Sequence, residues 1–161
     1  MDRSYEFDFA PMAADCGLST VGWGALGEGF LTGKYKRGDT KAEFRNMTHF
    51  NNERNWAIMD SVNAIATEIK RPASQVALNW MLRKGVNPLI GARTVQQLSD
   101  NLGALEFVLT DDQMKALDKV SAPQSVPFGS SKEMLAKSSR FQPMLSGGPK
   151  VALPSHLKSF L

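Results

Sequence analysis

Cysteine and histidine are nearly absent from this sequence. One cysteine, Cys16, and two histidines occur among 161 residues. A single cysteine excludes an internal disulfide, and no Cys/His spacing typical of a zinc site is present. Such low cysteine use fits a reducing compartment, so we expect a cytoplasmic protein. Cys16 precedes Gly17 at an expected helix end, and we interpret it as a small buried residue.

Long hydrophobic runs and a strong excess of one charge are also missing. No run approaches the roughly 20 apolar residues of a membrane span, and no N-terminal apolar core resembles a signal peptide. The net charge of +3 arises from 19 basic and 16 acidic residues spread along the chain. These patterns argue against membrane and nucleic-acid partners. The basic stretch at residues 34–37 is interpreted as a solvated loop.

Apolar residues make up 42% of the chain, an ordinary share for one globular domain with a core. Two short apolar segments, residues 18–23 and 86–91, predict buried strands. Apolar spacing predicts helices that end near Gly17, span roughly 18 residues after Asn51, and cover residues 73–84, 94–105 and 110–120. Thr110 is the expected N-cap of the last of these. A short helix around residues 131–138 is an option within a Pro- and Ser-rich tail.

Strands that alternate with helices predict a parallel α/β arrangement. Only two convincing strands are present, and parallel strands require neighbours on both sides. Two of them cannot make an independent sheet. Unpaired edges and residues such as Val21, Leu89 and Ile90 would then face water or a partner.

Several segments resemble the C-terminal half of the aldo-keto reductase family, a (β/α)8 barrel that uses NADPH. "VGWGALGEGFLTGKY" is similar to the loop after its seventh strand, and "ASQVALNWMLRKGVNPLIGARTVQQLSDNLGALEFVLTDDQM" to the helix, eighth strand, cofactor loop and last helix. The resemblance implies an α/β fold class, a partial (β/α)8 TIM barrel with about two parallel strands and flanking helices. Residues 1–121 would be the barrel portion and 122–161 a C-terminal tail. The tail segment "SAPQSVPFGSS" resembles the fungal aryl-alcohol dehydrogenase and norsolorinic acid reductase-like branch.

The loop after the first strand is the first part of an NADP(H) site that the resemblance implies. The Trp23 ring would stack on the nicotinamide, and Lys34 would face a phosphate. Four residues would bring backbone close to the pyrophosphate: Gly24, Leu26, Gly27 and Gly29. Glu28 departs from this pattern, because an anion beside a pyrophosphate is unfavourable unless it points away. The alternatives are a core tryptophan, a flexible turn-rich loop and a surface lysine.

The second part of the implied site follows the second strand. Gly91 opens the loop, and the planar guanidinium of Arg93 would fork onto the 2′-phosphate of NADP. The next helix would add N-terminal amides. Gln97 and Asn101 share one helix face and match positions at the adenosine end, and Asp100 matches an acidic adenine contact. The alternative is a polar solvent face with a helix cap. Arg45 is a further candidate 2′-phosphate ligand.

The resemblance implies a catalytic tyrosine, lysine, aspartate and histidine, which the family carries in the first half of its barrel. Neither Tyr5 nor Tyr35 lies in a similar segment, and His49 and His156 are interpreted as solvated. We therefore expect a truncated NADP-dependent reductase, weakly active or inactive alone, that acts on a small carbonyl or alcohol substrate once completed. The alternative is a non-catalytic binding or assembly protein, which acts as a homo-oligomer or with the missing N-terminal half.

Overall fold

The structure is a computed structural model that describes residues 1–7, 9–37 and 50–123. Several predictions concern residues outside these ranges: the second phosphate ligand Arg45, the solvated His49 and His156, the short helix around residues 131–138 and nearly all of the predicted tail. The predicted division at residues 121 and 122 also stays a prediction.

Five α-helices and two β-strands form the described part of the chain. In chain order they are α1 (Phe9–Asp15), β1 (Thr20–Gly22), α2 (Glu53–Glu68), α3 (Ala73–Arg83), β2 (Val86–Pro88), α4 (Val95–Leu102) and α5 (Asp111–Val120). Short 3₁₀ segments lie at Ser4–Glu6, Gly27–Thr32 and Gly103–Leu105. The predicted helices are confirmed within a few residues. No helix in the described ranges is long and apolar enough to cross a membrane.

Side-chain caps explain where three helices begin. Asn52 Oδ1 accepts a hydrogen bond from Asn55 N at 2.9 Å at the start of α2. Thr110 forms a capping box with Gln113 at the start of α5, which confirms its predicted role. Thr94 Oγ1 accepts from Gln97 N at 3.1 Å and begins α4. Each cap satisfies an amide that the helix itself leaves without a partner.

The two strands are parallel and pair in register, with Val21 opposite Asn87. Each is three residues long, shorter than the predicted six, because pairing ends soon after Gly22. One further bond, from Leu89 N to Gly22 O at 2.8 Å, ties the chain segments that leave the strands. The prediction of a two-stranded parallel arrangement is confirmed, and the predicted strand lengths were wrong.

The two faces of this strand pair differ in burial. Val86 is buried on the face toward α3, and a Cβ at Gly22 would lie 2.6 Å from Met81 Cε there. On the other face Val21 is 63% exposed and Leu89 is 56% exposed. Alternate residues of a strand point to opposite faces, so one face is left uncovered by the part of the chain that the structure describes. The prediction of fully buried strands was therefore wrong for that face, as the sequence's lack of neighbouring strands suggested.

The hydrophobic core lies among α2, α3, α5 and the 3₁₀ segment after β1. Its most buried members include Phe30, Met59, Val76 and Leu109. The Phe30 ring packs 4.9 Å from the Trp56 ring, centroid to centroid, which anchors the end of the glycine-rich loop to α2. The loop after β1 is thus mounted on the best-packed part of the chain.

Cys16 is exposed, so the prediction of a buried cysteine was wrong. It follows α1, in which Ala13 is the one buried residue. The apolar side chains of this helix, Phe9 and Met12, are exposed as well. Because α1 buries so little of its surface, the residue at its end has no core to enter.

Candidate cofactor site

Trp23 follows directly after β1 and is 84% exposed. This exposure rules out the interpretation of a core tryptophan. An exposed indole leaves a large flat ring available for stacking, a role in which aromatic side chains contribute much contact area. The residue thus has the accessibility that a nicotinamide-stacking role requires.

The loop beyond Trp23 turns through left-handed backbone conformations. Gly24 has a φ of 69° and Gly29 a φ of 96°, values that favour glycine. Glu28, at φ 53°, shares this conformation although it has a side chain. Glu28 is exposed, so its carboxylate can remain in water. Gly24 is exposed, but Gly27 is buried and a Cβ there would meet the Met1 side chain, so the predicted backbone approach is open at Gly24 and not at Gly27.

Lys34 lies alongside this loop. A Cβ on Gly29 would be 3.3 Å from Lys34 Nζ, and the same ammonium lies 4.7 Å from the centre of the Tyr35 ring. The positive charge is thus held over the glycine-rich segment, while the side chain remains exposed. A surface lysine and a phosphate-facing lysine are both compatible with this exposure.

The segment after β2 is organised by a small ring of hydrogen bonds. Arg93 N donates to Gln97 Oε1 at 2.9 Å, and Gln97 N donates to Thr94 Oγ1 at 3.1 Å. Gln97 therefore orders the backbone at Arg93. The Arg93 side chain is exposed and takes part in no ion pair within the described residues. Its positive charge is thus not paired with a carboxylate of the described ranges.

Helix α4 carries Asp100 and Asn101 but buries none of its own residues. Asp100 Oδ1 accepts from Gln96 Nε2 at 2.8 Å on the exposed side. The apolar residues Val95, Leu98 and Leu102 form the predicted stripe, yet all three are exposed. An amphipathic helix usually buries such a stripe, and here none of the described residues covers it.

The parallel pairing brings the two loops to one edge of the strand pair. Trp23 and Gly91 both lie beyond the carboxyl ends of their strands, and the Leu89 N–Gly22 O bond joins the points of departure. A cavity of about 560 Å³ lies under the first loop and is lined by Trp23, Gly24, Gly27 and Glu28 among others. None of Gly91, Arg93, Gln97, Asp100 and Asn101 lines it. The two halves of the predicted site therefore share an edge but not this cavity.

Ionisable groups beside the cavity form a structural cluster. Arg3 donates to both carboxylate oxygens of Glu6 at 2.6 Å, and Lys84 Nζ lies 3.5 Å from Glu6 Oε2. Burial raises the pKa of Glu6, but the hydrogen bonds and charges of Arg3 and Lys84 outweigh it, so the pKa is lowered. A carboxyl held ionised in this way suits an ion pair better than proton transfer.

A metal site is absent from the described part of the chain, where no three His, Cys, Asp or Glu residues form a group that could hold an ion.

Tyr5 Oη lies 3.4 Å from Thr20 Oγ1, a weak hydrogen bond. No lysine, histidine and aspartate are arranged around this tyrosine in the described residues. The structure thus brings the two predicted loops to one edge of the strand pair, and only the first of them lines the cavity. Sequence reasoning missed two further polar residues in this region, the buried Gln75 and Asn79 of α3.

Comparison with known proteins supplies the wider context. The profile of the "Aldo/keto reductase family" matches residues 2–122. The chain is 29% identical over 122 residues to the uncharacterized oxidoreductase YrpG of Bacillus subtilis (strain 168), covering 74% of this chain and 37% of that protein. It is 31% identical over 108 residues to the NADP(+) aldo-keto reductase yakc of Schizosaccharomyces pombe, covering 62% and 32%.

A solved structure is similar as well. The glycerol dehydrogenase of Gluconobacter oxydans superposes with a TM-score of 0.65 at 33% identity, covering 74% of this chain and 38% of that one. The predicted fold class, α/β and a partial (β/α)8 barrel, is confirmed. The chain spans about a third of the length of the proteins it matches.

Proposed function

This chain belongs to the aldo/keto reductase family, and on that premise we propose that it forms the NADP(H)-holding portion of a carbonyl-reducing barrel. The observation that carries the proposal is the shared edge of β1 and β2. One loop leaving this edge presents an exposed indole and a glycine-rich turn, and the other presents an arginine before a capped helix. Ligands of (β/α)8 barrels bind at this carboxyl end of the strands.

The first loop would hold the nicotinamide and pyrophosphate half of the cofactor. Trp23 would offer its ring as a stacking surface, and the turn would offer backbone at Gly24 and Gly29. Leu26 and the buried Gly27 would shape this turn from within. Lys34 Nζ lies beside Gly29 and would add a positive charge for a phosphate oxygen. Glu28, which is exposed, would remain solvated away from that anion.

The second loop would hold the adenosine 2′-phosphate half. Gly91 opens this loop, and the Arg93 guanidinium matches phosphate oxygens in a bidentate fork. The amides at the start of α4 favour an anion in the same place. Gln97 is bonded to the Arg93 backbone, so we assign it to ordering that loop. Asp100 and Asn101 are then left for the adenosine contacts.

The cofactor, when bound, supplies the hydride for reduction of a carbonyl. The described residues of this chain would bind and orient it, but they place no tyrosine, lysine, aspartate and histidine together to protonate the product. We therefore propose that activity on a small carbonyl or aryl-aldehyde substrate requires further residues. The chain alone would be weakly active or inactive. The single cysteine supports a cytoplasmic location.

Titration with NADPH and with NADH tests this proposal. Quenching of tryptophan emission should report binding, because Trp23 is exposed while Trp56 is buried. We expect micromolar binding of NADPH and weaker binding of NADH. A Trp23→Leu variant should lose most of the quenching, whereas Trp56→Phe, a substitution in the core outside the cavity lining, should retain it. Absence of NADPH binding at millimolar concentration, in a sample whose helical circular dichroism is intact, would refute the proposal.

A second candidate function is assembly, either with another copy of this chain or with a polypeptide that holds the rest of a barrel. The observation that favours it is the exposed apolar surface of Val21, Leu89, Val95 and Leu98. Soluble monomers seldom expose large continuous apolar patches. Sedimentation velocity should show self-association or partner capture. A stable monomer at all concentrations, with no binding of a hydrophobic dye, would count against this candidate.

A further inference from the structure

Helix α3 carries two buried amide side chains one turn apart. Gln75 is 6% exposed and Asn79 is 4% exposed. Gln75 Nε2 donates to the backbone carbonyl of Asp100 in α4 at 2.6 Å. Asn79 Nδ2 donates to the carbonyls of Ala104 and Phe107 at 2.9 and 2.8 Å, and its Oδ1 accepts from Leu109 N at 3.1 Å. Both amides thus hold the backbone of α4 and of the segment that follows it.

The space for Gln75 depends on Gly103. A Cβ at Gly103 would lie 2.9 Å from Gln75 Cδ and closer still to Nε2. Gly103 has a φ of −57°, an ordinary helical value that any residue adopts. A side chain at this position would therefore displace the Gln75 amide, while the backbone conformation itself would allow one. The Gln75 amide and Gly103 form one close contact between α3 and the end of α4.

The attachment of α4 differs from that of the other helices. α2 and α5 bury Met59, Val62, Met114 and Leu117 in the core, whereas α4 buries no residue. Within the described residues, apolar packing therefore contributes little to where α4 lies. Buried amides that satisfy backbone carbonyls are costly to leave unpaired, so these bonds resist displacement of the helix.

We propose that Gln75, seated against Gly103, is a positioning residue that sets the place of α4 and thereby of the adenosine 2′-phosphate site. Gln75 holds the carbonyl of Asp100, and Asn101 is the next residue. The Thr94 cap and the Gln97 bond to Arg93 N belong to the same helix. A shift of α4 would carry Arg93 with it. The proposal rests on the proposed cofactor site for its ligand consequence and on geometry alone for its effect on α4.

Hydrogen exchange with a double-mutant cycle tests the positioning role without any ligand. Gln75→Ala should raise the exchange rates of the α4 amides about tenfold and leave those of α2 and α5 unchanged. Gly103→Ala should do the same, because the new methyl group displaces the Gln75 amide. In the Gln75→Ala/Gly103→Ala double variant the α4 amides should exchange no faster than in Gln75→Ala alone, since the space for the Gly103 methyl group is then open. Unchanged α4 exchange in Gln75→Ala, or strictly additive effects, would overturn the proposal.

A second substitution separates the hydrogen bond from packing. Gln75 Oε1 has no hydrogen-bond partner in the described part of the chain, so its Nε2 donor makes the contact. Gln75→Glu keeps the shape of the side chain but replaces the donor with an oxygen facing the Asp100 carbonyl. We expect α4 exchange as fast as in Gln75→Ala. Wild-type exchange in Gln75→Glu would mean that packing alone holds α4, against the proposal.

Cofactor preference provides a readout that a general loss of stability would not move. Gln75→Ala should lower the ratio of NADPH to NADH affinity about tenfold, because the displaced helix carries the 2′-phosphate ligand. Val76→Ala is the matched control, since Val76 is the neighbouring residue of α3 and lies in the core. Val76→Ala should weaken the binding of NADPH and of NADH equally. An equal change of the ratio in both variants would overturn the positioning role. If the wild-type chain binds neither cofactor, the proposed function fails while the exchange experiment still decides the role of Gln75.

Discussion

Helices α2, α3 and α5 bury their apolar stripes against one another, whereas α4 and one face of the β1–β2 pair leave theirs exposed. Met59 and Leu117 represent the first region, and Val21 and Leu98 the second. Both regions have apolar residues at regular spacing. The difference lies in whether a partner surface exists among the described residues. Amphipathic patterning thus predicts that a face can be buried, but the presence of a neighbour decides whether it is.

The largest expected effect is a loss of stability from a substitution in the buried region. Phe30→Ala should reduce the free energy of unfolding by about 3–5 kcal/mol, because it removes a buried ring that packs on Trp56. Urea denaturation followed by circular dichroism would measure it. The control, Leu98→Ser on the exposed face of α4, should change stability by less than about 0.5 kcal/mol. Equal losses in the two variants would show that the α4 stripe is covered in solution.

Two glycines sharpen the contrast between the packed face of the strand pair and the open loop after β2. Gly22→Ala places a Cβ 2.9 Å from Val86 Cγ1 and should cost about 1–3 kcal/mol through overpacking. At Gly91 a Cβ would have no neighbour within 4 Å, so Gly91→Ala should be nearly neutral. Thermal unfolding of both variants would decide. A Gly22→Ala protein as stable as Gly91→Ala would mean that α3 packs less closely on β1 than the structure shows.

The exposed region should matter for ligand rather than for stability. Arg93→Ala should weaken NADPH binding about tenfold or more, since a charge-assisted hydrogen bond contributes about 1.5–3 kcal/mol, and should leave NADH binding unchanged. Arg83→Ala removes the same charge from an exposed pair with Asp111 and serves as control. Isothermal titration would measure both. Parallel loss of NADPH and NADH affinity in Arg93→Ala would contradict a 2′-phosphate contact.

The smallest expected effect is an acid dependence of the Arg3–Glu6 pair. The pKa of Glu6 is lowered in the folded protein, so the pair contributes stability above the ordinary glutamate pKa. That contribution is lost as the pH falls through the folded value. Glu6→Gln should therefore flatten the fall in stability below about pH 4.3, by no more than about 1 kcal/mol for a partly exposed pair.

Denaturation at several pH values, with Glu106→Gln as control, would test this acid dependence. Glu106 pairs with Arg71 at an exposed position, and its replacement leaves the Arg3–Glu6 pair intact. The control should keep the acid-dependent fall. A Glu6→Gln protein with the same pH profile as wild type would show that the pair does not contribute.

Local signals in the sequence predicted the helices and the N-cap Thr110 well, because these depend on residues close in the chain. Thr110 is followed by acids and by Gln113, and the capping box is present. The burial of Cys16 and of both strand faces could not be predicted in this way. Burial depends on neighbouring elements, and none of the described residues covers Cys16 or the outer strand face.

The positioning amides were missed for a related reason. In "ASQVALNW" the residues Gln75 and Asn79 look like the polar side of an amphipathic helix. Their spacing of four, beside the buried Val76 and Leu78, is the one signal that both lie on a face turned toward another element. The carbonyls that they bind lie 25 or more residues further along the chain, in α4 and the segment after it. No local pattern contains that distance.

The bond between Leu89 N and Gly22 O gives the two loops a common root. This bond fixes the distance between the first residues of the two loops. The distance between the loop tips then depends on the length and the turns of each loop. The distance between the loop tips would therefore limit the length of a ligand that contacts both loops. Insertions in either loop would change the length of ligand that both loops can contact, and they would leave the strand register unchanged.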